Sequence, residues 1–289
     1  MLTQLTTEVN VKTHAIRCLM SPKFLRSIFG APVQQDETWE DPLFIQSVGR
    51  AMQVLSAFHQ NERPMSLQDL ASETGLTRSA VQRLVFTLRH LGYIARDPDD
   101  TGYVPGLRIL DHSLDFLRLN PVVVKATPVL LELRRQVRER VDLSLRDGLR
   151  LVYASRLQSK REILSSTMVG HSVPLFCTSG GWAILARLPE AECAELIASS
   201  NRVPVTPQTI TDPAVLMERV AETRRNGYAL ALEQILTGEI AIGAAILDAS
   251  GRPVAAIHVA GSLSEWEPED FARQVAPLVI QAAQTISRG

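Results

Sequence analysis

The sequence is poor in the features that most readily betray chemistry. Its 289 residues hold three cysteines, Cys18, Cys177 and Cys193, far apart and odd in number. They form no CxxC pair and no disulfide framework, which argues against a structural zinc site and suits a reducing cytoplasm. No apolar run approaches the ~20 residues needed to span a bilayer, so no membrane partner is expected. Met1–Val9 carries Glu8 and no basic residue, so it does not read as a secretory signal. Neither sign of charge is in excess. The formal net charge is −1, so any nucleic-acid binding must rest on a local patch. There is no G-x-S-x-G elbow, no P-loop and no metal-ligand spacing, and no cofactor is expected. What is there is long enough for two domains, each with its own core.

The stretch Leu67–Leu91, LQDLASETGLTRSAVQRLVFTLRHL, organises the chain. Leu67, Leu70 and Ala71 share one face of a short helix. Gly75 fits a turn with positive φ, and Thr77 offers a hydroxyl to cap a second helix. Val81, Leu84, Val85, Leu88 and Leu91 continue an apolar stripe at helical spacing. The opposite face carries Arg78, Ser79, Gln82, Arg83 and Arg89, with no acid between Thr77 and Ala95. This is the pattern of a helix-turn-helix, whose second helix enters the major groove. Arg96–Val104 then reads as strand, polar turn and strand, which makes a wing.

The rest falls into order around it. Residues 1–43 read as a disordered N-terminal extension, with a basic amphipathic helix over Val11–Phe29 as the alternative. Phe44–Gln60 reads as a helix beneath the motif, closing a winged unit over 44–106. Leu107, Leu110, Leu114 and Leu117 lie on one face of a linker helix over 107–120, and that stripe points to a partner subunit. Residues 121–289 are mixed. A helix over Val122–Arg140 precedes strands at Val141–Arg146, Leu149–Ser155 and Glu162–Val169. Helices follow at Thr178–Leu188, Pro189–Ser199 and from Asp212 to Asn226. Strands at Tyr228–Glu233, Ile240–Leu247 and Pro253–Ala260 precede a closing helix, Glu267–Ser287. Consecutive hairpins with helices between them suggest an α+β domain on an antiparallel sheet.

FIQSVGRAMQVLSAF and LQDLASETGLTRSAVQRLVFTLRHLGYI resemble the DNA-binding domain of IclR-type transcriptional regulators. MVGHSVPLFCTSGGWAILA, VTPQTITDPAVLMERVAETRRNGYAL and AILDASGRPVAAIHVAGS resemble the effector-binding half of that family. The resemblance covers about 44–289. It implies a winged helix-turn-helix, a linker helix and a GAF-like effector domain over 121–289. It also implies a homodimer or tetramer on a palindromic double-stranded DNA operator, modulated by a small organic acid. Three departures fall in the second half. Only Glu233 keeps the acidic run that often follows the GY of RRNGY. Ile240 and Ala241 stand where an Arg-Cys pair is common, and Gly181-Trp182 replaces a Gly-Lys pair.

The candidate sites follow. Arg78, Ser79, Gln82 and Arg83 sit on the first turns of the recognition helix. Arg reads guanine and Gln reads adenine, so Arg78 and Gln82 are the expected base readers. Thr77, Arg89, Arg96 and Tyr103 are placed for phosphates. The plain alternative is that some of these arginines merely pair with Asp69 or Glu73. In the second half, Thr178, Ser179 and Gly180 open a helix whose free N–H groups suit a carboxylate. The resemblance adds Glu239 and His258 as polar pocket residues, with Ser165, Val173, Leu175, Ala241 and Ala260 as walls. Without it, a lone histidine in an apolar strand reads as core. Two other functions stay open: an enzyme using Cys177, His171 or Ser179, and a DNA-tethered oligomerisation module without a ligand.

Overall fold

The structure is a computed structural model that describes residues 37–61, 63–158 and 169–288. Its contacts divide into two compact units, with the chain passing from one to the other between Phe116 and Leu117.

In the first unit, α1 (Gln46–Ser56) runs into a 3-10 turn at Ala57–Gln60. Trp39 is buried 4.6 Å from the Phe44 ring, and a Cβ on Gly49 would lie 2.7 Å from its ring edge. Trp39 therefore belongs to the folded unit, although it falls within the predicted extension. Helix α2 (Leu67–Thr74) begins with a reciprocal cap: Ser66 Oγ accepts from the Asp69 amide, and Asp69 accepts from the Ser66 amide. Gly75, at φ +70°, ends it in the left-handed region. Thr77 caps α3 (Arg78–His90) by accepting from the Ala80 amide at 3.3 Å. Val81, Val85 and Leu88 of α3 pack on Val54, Leu70, Met65 and Ile94. Strands β1 (Ile94–Arg96) and β2 (Tyr103–Pro105) pair antiparallel, and Met65 exchanges two backbone hydrogen bonds with Tyr103 beside them. Gly106 closes this hairpin, its amide donating to the Tyr93 carbonyl at 2.7 Å. A Cβ there would lie 2.1 Å from the Gly92 carbonyl oxygen.

Helix α4 (Arg108–Leu119) has no buried residue. Leu107, just before it, and its Leu110 and Leu114 are exposed as expected, but Leu117 packs against the core of the second unit and leaves the predicted stripe.

Among the described residues, the second unit carries a six-stranded antiparallel sheet in the order β5-β4-β3-β8-β7-β6. Its strands are β3 (Arg140–Asp147), β4 (Arg150–Leu157), β5 (Ser172–Pro174), β6 (Ala229–Leu232), β7 (Glu239–Leu247) and β8 (Pro253–Ser262). Helix α5 (Pro121–Val137), capped by Asn120, and α9 (Pro268–Arg288) cover one face. Helices α6 (Ser179–Leu185), α7 (Glu190–Ser199) and α8 (Pro213–Asn226) build a second core on the other. Helix α5 stops three residues before the predicted Arg140, because Arg138 turns left-handed at φ +57° and Arg140 starts β3. The strand predicted over 162–169 lies outside the described residues except for Val169, which sits in a turn.

Period-two alternation sorts the sheet. Val141, Leu143, Ile240, Ile242, Ile257 and Val259 face α5 and α9. One irregularity matters: Leu143 opposes Ser155 and Ser144 opposes Tyr153, so β4 bulges at Ala154. Tyr153 and Arg156 are three residues apart, yet the bulge brings both to the same face.

Candidate functional site

On α3 the outward residues are Arg78, Ser79, Gln82, Arg83, Phe86, Thr87, Arg89 and His90, all exposed. Asp69 is engaged by Ser66 and Arg63, not by these arginines. Among the described residues neither Arg78 nor Arg83 has an ion-pair partner. Thr77 and Ser79 hydroxyls lie 3.2 Å apart at the helix start. The wing differs from expectation in its charge. Arg96 forms an ion pair with Asp100, which holds the Asp100 carboxyl below the usual carboxylate range. The guanidinium groups of Arg96 and Arg89 stand 4.9 and 5.8 Å from the Tyr103 ring centroid. Asp97, Asp99 and Asp100 crowd the wing tip, and over 44–106 six arginines meet six carboxylates. The positive face is thus local to α3.

The second candidate site lies on the sheet face toward α6. Three cross-strand rows run over it: Ala241, Ala260 and Arg140; then Gly243, His258, Asp142 and Arg156; then Ala245, Ala256, Ser144 and Tyr153. The structure brings Glu239, Ala241, His258, Ala260, Ser179 and Gly180 together here. Glu239 accepts from Arg140 at 2.8 Å, and Arg140 also donates to Asp142 at 2.9 Å. Arg156 reaches the same carboxylate at 3.2 Å and stacks 3.9 Å over the Tyr153 ring. Burial opposes the Asp142 charge, but Arg140 and Arg156 outweigh it and hold the carboxyl below its ordinary range. Burial pushes the Tyr153 phenol up to about 12.

His258 is enclosed. Burial lowers its pKa to about 4 against the pull of Asp142, so the ring is neutral at pH 7. Its Nε2 lies 2.6 Å from Ser144 Oγ and its Nδ1 3.4 Å from Ser179 Oγ. A Cβ on Gly180 would lie 2.0 Å from the His258 ring, so this ring rests directly on the start of α6. Thr178 caps that helix by accepting from Gly181 at 3.0 Å. Val173 and Leu175 are enclosed in the second core with Leu151, Phe176 and Trp182. Ser165 lies outside the described residues. A separate cavity of about 250 Å³ beside β6 touches none of the predicted effector residues; Trp182, Thr223, Tyr228 and Leu230 help to line it.

Sequence reasoning missed Arg140, Asp142, Ser144, Tyr153 and Arg156. The polar alternation of β3 was a usable signal; the bulge hid the rest. Of the enzyme candidates, Cys177 is fully buried and its thiol is pushed up by that burial, which disfavours the nucleophilic thiolate.

Comparison with known proteins matches both halves. Residues 47–98 match the IclR helix-turn-helix domain, and 115–288 match the bacterial transcriptional regulator IclR C-terminal domain. The chain belongs to the IclR family. It is a DNA-binding transcriptional regulator of that family and not an enzyme. The Pca regulon regulatory protein of Pseudomonas putida is 26% identical over 247 residues, 85% of this chain and 84% of the relative. The crystal structure of the Thermotoga maritima IclR has a TM-score of 0.65 at 27% identity, covering 85% of this chain and 98% of that one. An IclR homolog from Microbacterium hydrocarbonoxydans, solved with 4-hydroxybenzoate, shares the fold with a TM-score of 0.69 at 23% identity, over 84% and 98% of the two chains. No helix among the described residues is long and apolar enough to cross a membrane.

Proposed function

We propose that this IclR-family regulator binds a palindromic operator as a homodimer or tetramer in the cytoplasm, and that a small organic acid modulates it. The observation that carries the DNA part is the acid-free outward face of α3. Arg78, Gln82 and Arg83 are the base readers, with Ser79 beside them. Thr77, at the helix cap, and Arg89 serve phosphates. Arg96 and Tyr103 shape the wing more than they add charge, because Asp100 already engages Arg96. The exposed Leu107, Leu110 and Leu114 are the proposed contact with a second copy.

The effector is proposed to lie over the small residues Ala241 and Ala260, beside Gly243, whose surface the Ser179–Gly180 backbone covers. Arg140 and Arg156 are its cationic partners, and an incoming carboxylate competes with Glu239 for Arg140. Glu239 then accepts from a hydroxyl on the ligand. His258, Ser179, Gly180 and Thr178 form the wall on the α6 side, Val173 and Leu175 back it, and Ser165 belongs to the same proposed set. The homolog solved with 4-hydroxybenzoate supports a hydroxylated acid as the first to try.

Two measurements test the reading. After operator selection from random duplexes, Arg83→Ala is expected to cost about 1–3 kcal/mol in operator affinity. Unchanged affinity and preference would remove α3 from the groove. In a thermal-shift panel, an acid should stabilise the protein and its methyl ester should not. Equal stabilisation by both would exclude a carboxylate site.

A further inference from the structure

The polar face of α3 contains one residue that its chemistry does not explain. Phe86 is 71% exposed, the most exposed large apolar side chain of the helix. Ser79, Gln82, Arg83, Phe86 and His90 follow one another at i, i+3, i+4, i+7 and i+11, so they form a single outward row. The core is served by Val81, Val85 and Leu88 on the opposite side, and Phe86 adds nothing to it. Its ring lies parallel to that of His90, with centroids 6.4 Å apart and planes 13° from each other. The ring is therefore steadied on the third turn, one turn beyond Gln82 and Arg83.

We propose that Phe86 is a specificity-determining residue that reads thymine through its C5-methyl group in the major groove. The inference rests on the placement of α3 in the groove proposed above. A helix lying there with Gln82 and Arg83 toward base edges carries the next outward residue along the same groove floor. Of the groups displayed on that floor, the thymine methyl is the apolar one, and phenylalanine is among the side chains that meet it. Phosphates and base-edge donors offer an uncharged ring nothing in exchange for its exposure to water. The continuity of Phe86 with the arginine and glutamine row selects DNA as its cover, because a second protein copy seated on Phe86 would also bury Arg83 without a carboxylate in reach on this helix.

The test uses the full chain and the operator selected with it. Each thymine of one half-site is replaced in turn by deoxyuridine, which removes only the methyl group. The parent should lose about fourfold in affinity at one or two positions, as expected for one methyl-sized group no longer hidden from water. Phe86→Ala should bind the unmodified operator more weakly and be indifferent to deoxyuridine at those positions. Equal sensitivity of parent and Phe86→Ala at every position would overturn the assignment. So would a change in oligomeric state of Phe86→Ala by light scattering, which would give Phe86 to a protein contact. Arg83→Ala runs alongside: if it still loses affinity while Phe86→Ala does not, only the thymine reading fails. If neither variant loses affinity, the placement of α3 fails with it.

Discussion

His258 shows how one buried side chain can set the pH response of a whole unit. It is 3% exposed and has a folded pKa of about 4, and His171, also lowered by burial, behaves alike. Their ordinary value is 6.5. Above 6.5 both states of the chain carry neutral rings, and the native stability is complete. Between 6.5 and 4 the unfolded chain binds protons that the folded one refuses, so stability falls as pH falls. Urea midpoints taken between pH 7 and pH 4.5 should drop steadily, and His258→Gln should flatten that slope. A slope unchanged by the substitution would mean that His258 is solvated and titrates normally. The sequence alone left this residue between pocket and core. It is packed like a core residue, on Gly180, yet stands in the row with Asp142 and Arg156.

Among the elements, the winged unit was the more legible in sequence. Its capping residues, turn glycine and apolar stripe are local signals, and α2, α3 and both wing strands occupy the predicted places. Contacts between distant residues were not legible. The Arg140–Glu239 pair joins residues 99 apart, and no period in either strand announces it. The ten-residue reach of β8 and the shift at Ala154 likewise depend on neighbours that only the folded sheet supplies. Gly106 is a further example, an unremarkable loop residue in sequence that proves to lie against the Gly92 carbonyl. Gly106→Ala should overpack that junction and destabilise the first unit by about 1–3 kcal/mol. Its melting transition should fall while that of the second unit stays in place; a single unshifted profile would mean that the hairpin relaxes freely.

At the scale of the whole molecule, charge is the quantity to follow. The salt dependence of operator binding should be shallow for a regulator of this size, since Arg96 is already engaged within its own wing. Asp100→Asn should release it, strengthening binding at low salt and steepening the salt slope by about 1 per copy. No change in slope would place the wing away from the phosphates. The even balance of six arginines and six carboxylates over 44–106 also reaches into time. A reader without a surrounding field is not drawn in from a distance, and its encounters fall near the unsteered ~10⁵–10⁶ M⁻¹s⁻¹. It is also held only weakly on random sequence, whose grip is the attraction of phosphates for basic side chains. Such a protein spends its search in solution rather than sliding along the duplex, and little of its pool is lost to the bulk of the genome. With α3 as the proposed reader, control over a promoter would lie in how long the protein stays on the right bases, and residence time would be the quantity that the proposed effector has to change.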